Sequence, residues 1–123
     1  LIVVFGCGGN RDQTKRPVMG KMASLVADHV ILTSDNPRNE DPSDIVRQIK
    51  AGFPSGFDQF EIVLDREQAI TTALSRARRD DTILIAGKGH EAYQTFDHSA
   101  VPFSDREVVE RWVGARHSLA LSS

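Results

Sequence analysis

His29-Val30-Ile31-Leu32, Thr33-Ser34-Asp35-Asn36-Pro37-Arg38-Asn39-Glu40 and Asp41-Pro42-Ser43-Asp44 run on without a break, and their reading decides the fold. The first four residues are a short apolar run, as expected of a strand buried on both faces. The last four start a helix, with Asp41 as N-cap and Pro42 at the first helical position. The eight between them form a strand-to-helix loop, the place where α/β folds put ligand groups. Pro37 fixes its own φ and holds Asn36 toward extended geometry, so the loop is stiff. Its arginine can grip a carboxylate through two parallel hydrogen bonds, and Asp35 can hold an ammonium. Acid, amide and guanidinium together suit a zwitterion. The same residues also fit an Asx-type turn with solvated charges.

The same unit recurs on either side. Leu1 to Phe5 is a continuous apolar run, followed by Gly6-Cys7-Gly8-Gly9-Asn10-Arg11-Asp12-Gln13-Thr14-Lys15-Arg16-Pro17. A helix beginning near Pro17 places Val18, Met22, Leu25 and Val26 on one face, expected toward the core. Lys15 and Arg16 then lie at a helix N-terminus, the unfavourable end for cations, and Arg16 is expected to point into water. An anion bound there would lift the mismatch. Downstream, Ile45, Val46 and Ile49 form the core face of the second helix, with Gly52 as its stop. Phe60 to Leu64 reads as strand three, and Asp65-Arg66-Glu67-Gln68 as a capping box. The helix behind it carries Ala69, Ile70, Ala73, Leu74 and Ala77 on one stripe. Thr82 to Ala86 reads as strand four, followed by Gly87-Lys88-Gly89-His90-Glu91, where two glycines let the backbone approach a ligand. Segments 92–96 and 101–103 suggest a hairpin. Ser104-Asp105-Arg106-Glu107 opens a last helix with Val108, Val109, Trp112 and Val113 on its apolar face. The domain is expected to end at Gly114, leaving 115–123 as a frayed tail.

Alternation of strand and helix four times argues an α/β, Rossmann-like three-layer domain: a mostly parallel sheet, flanking helices and a C-terminal hairpin. In such a sheet the loops after strands one, two and four share one rim. Arg11, Lys15, Asp35, Asn36, Arg38 and Gly87 to Glu91 therefore converge, enough charge for a ligand with two zwitterionic ends. The spacing GxGxxG fails after Gly8, and GxxxxGK[ST] occurs nowhere in the chain, so neither nucleotide fingerprint is present. A net charge of -2 gives no electrostatic case for nucleic acid. One cysteine excludes an internal disulfide and a CxxC metal site. No apolar run approaches the ~20 residues that span a membrane. A chain opening inside a buried strand is expected to be an excised piece of a longer one.

Three stretches carry a resemblance. Gly6 to Asp12 with Lys15-Arg16-Pro17-Val18-Met19, Asp35-Asn36-Pro37-Arg38 with Asn39-Glu40-Asp41-Pro42, and Gly87 to Glu91 together resemble the C-terminal domain of the Mur ligases. The second resembles the signature of members that add meso-2,6-diaminopimelate to UDP-N-acetylmuramoyl-L-alanyl-D-glutamate in peptidoglycan synthesis. Asn10 departs from the usual Asp, and Gln13-Thr14 from a Lys-Gly pair. The resemblance implies a bacterial, cytoplasmic ligase that uses ATP and magnesium bound mainly by a central domain outside this chain. It also implies an N-terminal domain outside this chain, and a domain at 1–114 that supplies the amino-acid pocket and closes over ATP. It implies diaminopimelate contacts from Arg11, Asp35, Asn36, Pro37, Arg38, Gly87 and Glu91. Lys15, Lys88 and His90 would face phosphate, with Lys88 and His90 the only catalytic candidates and no metal ligand. The alternatives are an L-lysine-adding relative, which leaves Arg38 without a carboxylate, a stand-alone dinucleotide-binding module, and a domain acting only through protein contacts.

Overall fold

The computed structural model describes residues 1–87, 93–96 and 99–122. Its elements follow the order β1 (Ile2–Phe5), α1 (Lys15–Val26), β2 (His29–Leu32), α2 (Pro42–Lys50), β3 (Phe60–Ile62), α3 (Arg66–Arg76), β4 (Ile83–Ala86), β5 (Tyr93–Phe96), β6 (Ser99–Pro102) and α4 (Asp105–Ser122). The first four strands form a parallel sheet in the order β3-β2-β1-β4, and β5 and β6 pair antiparallel as a separate hairpin. The apolar runs at β1 and β2 become strands buried on both faces, while Ile62 of β3 and Leu84 of β4 are exposed. Val3, Phe5, Val30 and Leu32 pack on Ala23 of α1 and Ile45, Val46 and Ile49 of α2. Ile2, Val4 and Ile31 point to the opposite side, onto Ala69, Ile70 and Ala73 of α3 and Val108 of α4. This is the expected three-layer arrangement. Because β1 connects toward β2 while β4 lies on its other flank, the ends of β1 and β4 form a topological switch point, where α/β sheets open a crevice.

The caps are where the sequence put them. Asp41 accepts from the Ser43 amide, and Asp65 from the Gln68 amide. Two expectations fail. The first is the face of α1, which buries Arg16, Gly20 and Ala23, while Val18, Met22, Leu25 and Val26 are 56%, 63%, 71% and 67% exposed. The cause is backbone contact between α1 and α2. A Cβ at Gly20 would collide with Ile49 O, and one at Gly52 with Pro17 O. Those glycines set the rotation of α1, and its larger apolar side chains turn away. Met19, Met22 and Val26 line a groove of about 280 Å³ with Val3, Phe5, Leu84 and Ala86. The second is the end of α4, which passes Gly114 and continues to Ser122. Gly114 meets nothing within 4 Å, so its missing side chain leaves no gap in the packing.

Candidate functional site

The cleft at the switch point has a volume of about 430 Å³ and is lined by the β1 loop (Gly6 to Gly8, Arg11, Asp12), by Lys15, Arg16 and Met19 of α1, and by Asp35 and Gly87. The parallel register brings these loops together, since Phe5 pairs with both Leu32 and Ala86. Gly87 takes φ 111°, a conformation that suits glycine. A Cβ there would stand 3.6 Å from Asp35 Oδ2 and 3.5 Å from Gly6 O, so the β4 loop passes directly beside the aspartate. Two arginine side chains crowd the place where a Gly8 side chain would stand. A Cβ at Gly8 would lie 2.9 Å from Arg38 Nη1 and 3.4 Å from Arg11 Cγ.

The β2 loop is built from inside. Asn36 is 6% exposed, and its carbonyl accepts from the Gly9 amide at 2.7 Å. A Cβ at Gly9 would collide with Pro37 O, so the β1 and β2 loops touch through backbone. Arg38 has φ 53°, in the left-handed region that non-glycine residues rarely adopt, a strain of about 1–3 kcal/mol. Two bonds hold it there. Its amide donates to Thr95 O at 3.0 Å, and its Nη1 donates to Gly9 O at 2.9 Å. Thr95 returns a bond from its own amide to Asn36 Oδ1 at 2.8 Å. The hairpin thus clasps the loop at Thr95, a contact with no mark in the residue pattern.

Arg16 corrects the expectation of a solvated side chain, since it is 1% exposed. Its Nη1 and Nη2 grip the Glu40 carboxylate at 3.0 and 2.7 Å, and they also reach Gln48 Oε1 and Gly8 O. Glu40 in turn accepts from the Asn10 amide at 2.6 Å. The cation that looked misplaced at a helix N-terminus is neutralised by a carboxylate delivered from the β2 loop. The hydrogen bonds from Arg16 hold the Glu40 carboxyl below the usual carboxylate range and push the Arg16 pKa up. Asn10, at φ 57°, is one of the few residue types that take this conformation readily. Burial pushes the Cys7 thiol up to about 11, with its Sγ 3.5 Å from Met19 Sδ.

Arg11 and Lys15 are exposed on the cleft wall, and Asp35 is half-buried in it. Asn36 and Pro37 are buried within the loop, and Arg38 Nη1 lies beside Gly8 of the cleft wall. Among the described residues, only Nη1 of the Arg38 guanidinium is hydrogen-bonded, which leaves its other edge open to a ligand. Lys88, His90 and Glu91 lie outside the described residues. A larger cleft of about 490 Å³ opens between α3, the hairpin and α4. It contains Ser34 but none of Arg11, Asp35 or Gly87, which line the switch-point cleft. Among the described residues no group of three or more His, Cys, Asp or Glu side chains could hold a metal ion, and no helix is long and apolar enough to cross a membrane.

Residues 1–89 match the family described as "Mur ligase, glutamate ligase domain". The chain belongs to that family. As a Mur ligase domain it is similar to proteins named UDP-N-acetylmuramoyl-L-alanyl-D-glutamate--2,6-diaminopimelate ligase. That of Caldanaerobacter subterraneus subsp. tengcongensis is 50% identical over 109 residues, covering 89% of this chain and 23% of the relative. That of Vibrio vulnificus is 50% identical over 114 residues, covering 93% and 23%. A solved structure of a ligase with the same name superposes with a TM-score of 0.88 at 42% identity, over 94% of this chain and 24% of that one. The chain therefore spans about a quarter of the length of the relatives it matches.

Proposed function

We propose that this chain is the amino-acid-binding domain of a bacterial, cytoplasmic ligase that adds meso-2,6-diaminopimelate to UDP-N-acetylmuramoyl-L-alanyl-D-glutamate. The names borne by its relatives support the reaction. The observation that supports the substrate is the meeting of Arg38 Nη1 and the Arg11 side chain at Gly8, with the Asp35 carboxylate beside Gly87 in the cleft that Gly8 and Arg11 line. Diaminopimelate has two carboxylates and two amines, and this arrangement offers guanidinium groups for the first and an acid for the second. In this reading Arg38 takes the carboxylate that lysine lacks, through the edge left open by its Nη1 contacts. Arg11 assists, and Asp35 and Glu91 face ammonium groups. Asn36 and Pro37 hold the loop in shape, and Gly87 leaves room for the ligand. Lys15, Lys88 and His90 face phosphate. The resemblance assigns ATP and magnesium mainly to the central domain of the parent enzyme. The domain alone is accordingly expected to show no ATP-dependent amide formation.

The test is Arg38→Ala in the parent enzyme, assayed with meso-diaminopimelate and with L-lysine on one preparation. A charge-assisted bidentate contact is worth about 1.5–3 kcal/mol, and its loss strands a ligand carboxylate. The variant should lose roughly 10²-fold in kcat/KM for diaminopimelate, while lysine loses nothing comparable. Arg38→Lys should recover little, because an ammonium lacks the planar fork. An unchanged preference between the two amino acids would refute the assignment.

A further inference from the structure

Arg66, the first residue of α3, is 1% exposed and makes contacts its place in a capping box does not require. Its Nε and Nη2 hold both oxygens of Asp105 at 2.7 Å each. Nη1 donates to Ser34 O at 3.0 Å, and Nη2 to Ala86 O at 3.1 Å. Ser34 precedes Asp35, and Ala86 precedes Gly87. One guanidinium thus joins the ends of β2 and β4, strands that are not neighbours because β1 runs between them. It also bonds residues on either side of the hairpin in sequence, Ala86 before it and Asp105 after it. Asp105 is 7% exposed and fixes the orientation of the fork. Neither residue lines the switch-point cleft.

We infer that Arg66 and Asp105 are positioning residues for the amino-acid site, setting the distance between the Asp35–Arg38 loop and Gly87. The inference rests on the diaminopimelate reading above. Since the pair's described bonds reach the residues before Asp35 and Gly87 and not those groups themselves, its loss shifts those groups without removing any of them. The amino-acid substrate feels the change, and substrates held by the rest of the enzyme do not.

The decisive variant is Arg66→Met with Asp105→Leu in the full-length parent. Replacing both members of a buried ion pair by apolar residues of similar size commonly keeps stability, whereas removing one member strands the other. The double variant should melt close to the wild type. Its KM for diaminopimelate should still rise roughly tenfold, about the value of one hydrogen bond to a charged group. The KM values for ATP and for the UDP-linked substrate should stay within about twofold. A merely structural pair predicts a lower kcat from a smaller active fraction, with every KM unchanged, and that result overturns the inference. Should the double variant fail to fold, Asp105→Asn, which keeps the shape of the side chain, is read by the same ratio of KM values. A wild-type parent that does not turn over diaminopimelate refutes the functional reading. A wild type that does, beside a double variant with unchanged KM, refutes the positioning role alone.

Discussion

Two buried arginines sit at the starts of helices on opposite faces of the sheet, and they are built differently. Arg66 on the α3/α4 face has a partner whose side chain is 9% exposed, and it also bonds two strand-end carbonyls. Arg16 on the α1/α2 face has a partner whose side chain is 20% exposed, and it bonds two loops at the cleft, through Gly8 of the β1 loop and Glu40 at the end of the β2 loop. The first belongs to the core and cannot be solvated without opening the domain. The second ties two ligand loops together at the edge of water, where protonation can reach it. Burial of the carboxylate, more than the number of hydrogen bonds, separates a fixed joint from an adjustable one.

The contrast predicts the largest effect for Arg66→Met alone. It leaves Asp105 charged and enclosed, at a cost of about 3–5 kcal/mol, a large share of the roughly 5–15 kcal/mol that holds a domain of this size. Urea unfolding of the chain should show the midpoint fall accordingly, and a loss below about 1 kcal/mol would mean that the pair is not enclosed. Glu40→Gln should cost less, about 1 kcal/mol, because Glu40 keeps one side open to water. Its signature is in the pH dependence. The folded Glu40 pKa lies below its unfolded value, so the stabilisation is present above the ordinary carboxylate range and disappears as pH falls through the lowered pKa. Wild type and Glu40→Gln should differ near neutrality and converge in acid, as followed by melting temperature. A constant gap would remove the ion pair from the account. The smallest effect concerns Cys7, whose thiol burial pushes up to about 11 while the Arg16 charge pulls it down. Thiol labelling at pH 8 should be slow in the wild type. In Glu40→Gln the charge on Arg16 is no longer neutralised, and labelling should quicken by a few-fold. An unaltered rate would show that Arg16 and Cys7 do not communicate.

Both arginines left a trace in the sequence, as cations in the first turn of a helix, the end where they are disfavoured. At Arg16 that trace reads equally as a solvated side chain. At Arg66 it was hidden by the capping box, whose Asp65 does cap the helix as expected. Neither partner could be found locally, because Glu40 and Asp105 come from distant segments. The strands, by contrast, were legible because burial on both faces demands continuous apolar runs. The shared rim of the Arg11, Asp35 and Gly87 loops followed from parallel pairing alone. The face of α1 was misread for a definite reason. Periodicity weighs the size of apolar side chains, and here the contact is made where side chains are missing, at Gly20 and Gly52. The clasp at Thr95 uses main-chain groups and one amide oxygen, and a hairpin strand carries no mark of which loop it will meet.

The position of β1 in the sheet also sets an order in time. Ile2 pairs with His29 on one side and with Ile83 on the other, so the second pairing closes a far longer loop than the first. As the chain emerges from the ribosome, β1, β2 and β3 can assemble while β4 is still unmade. During that interval Ile2 to Phe5 forms an unpaired apolar edge, the kind of edge that invites other chains to join it. The arrival of β4 covers that edge and brings Gly87 beside Asp35 in the same event. Protection from aggregation and completion of the ligand cleft are therefore one step, so a chain still lacking its cleft is also one still exposed to misassembly.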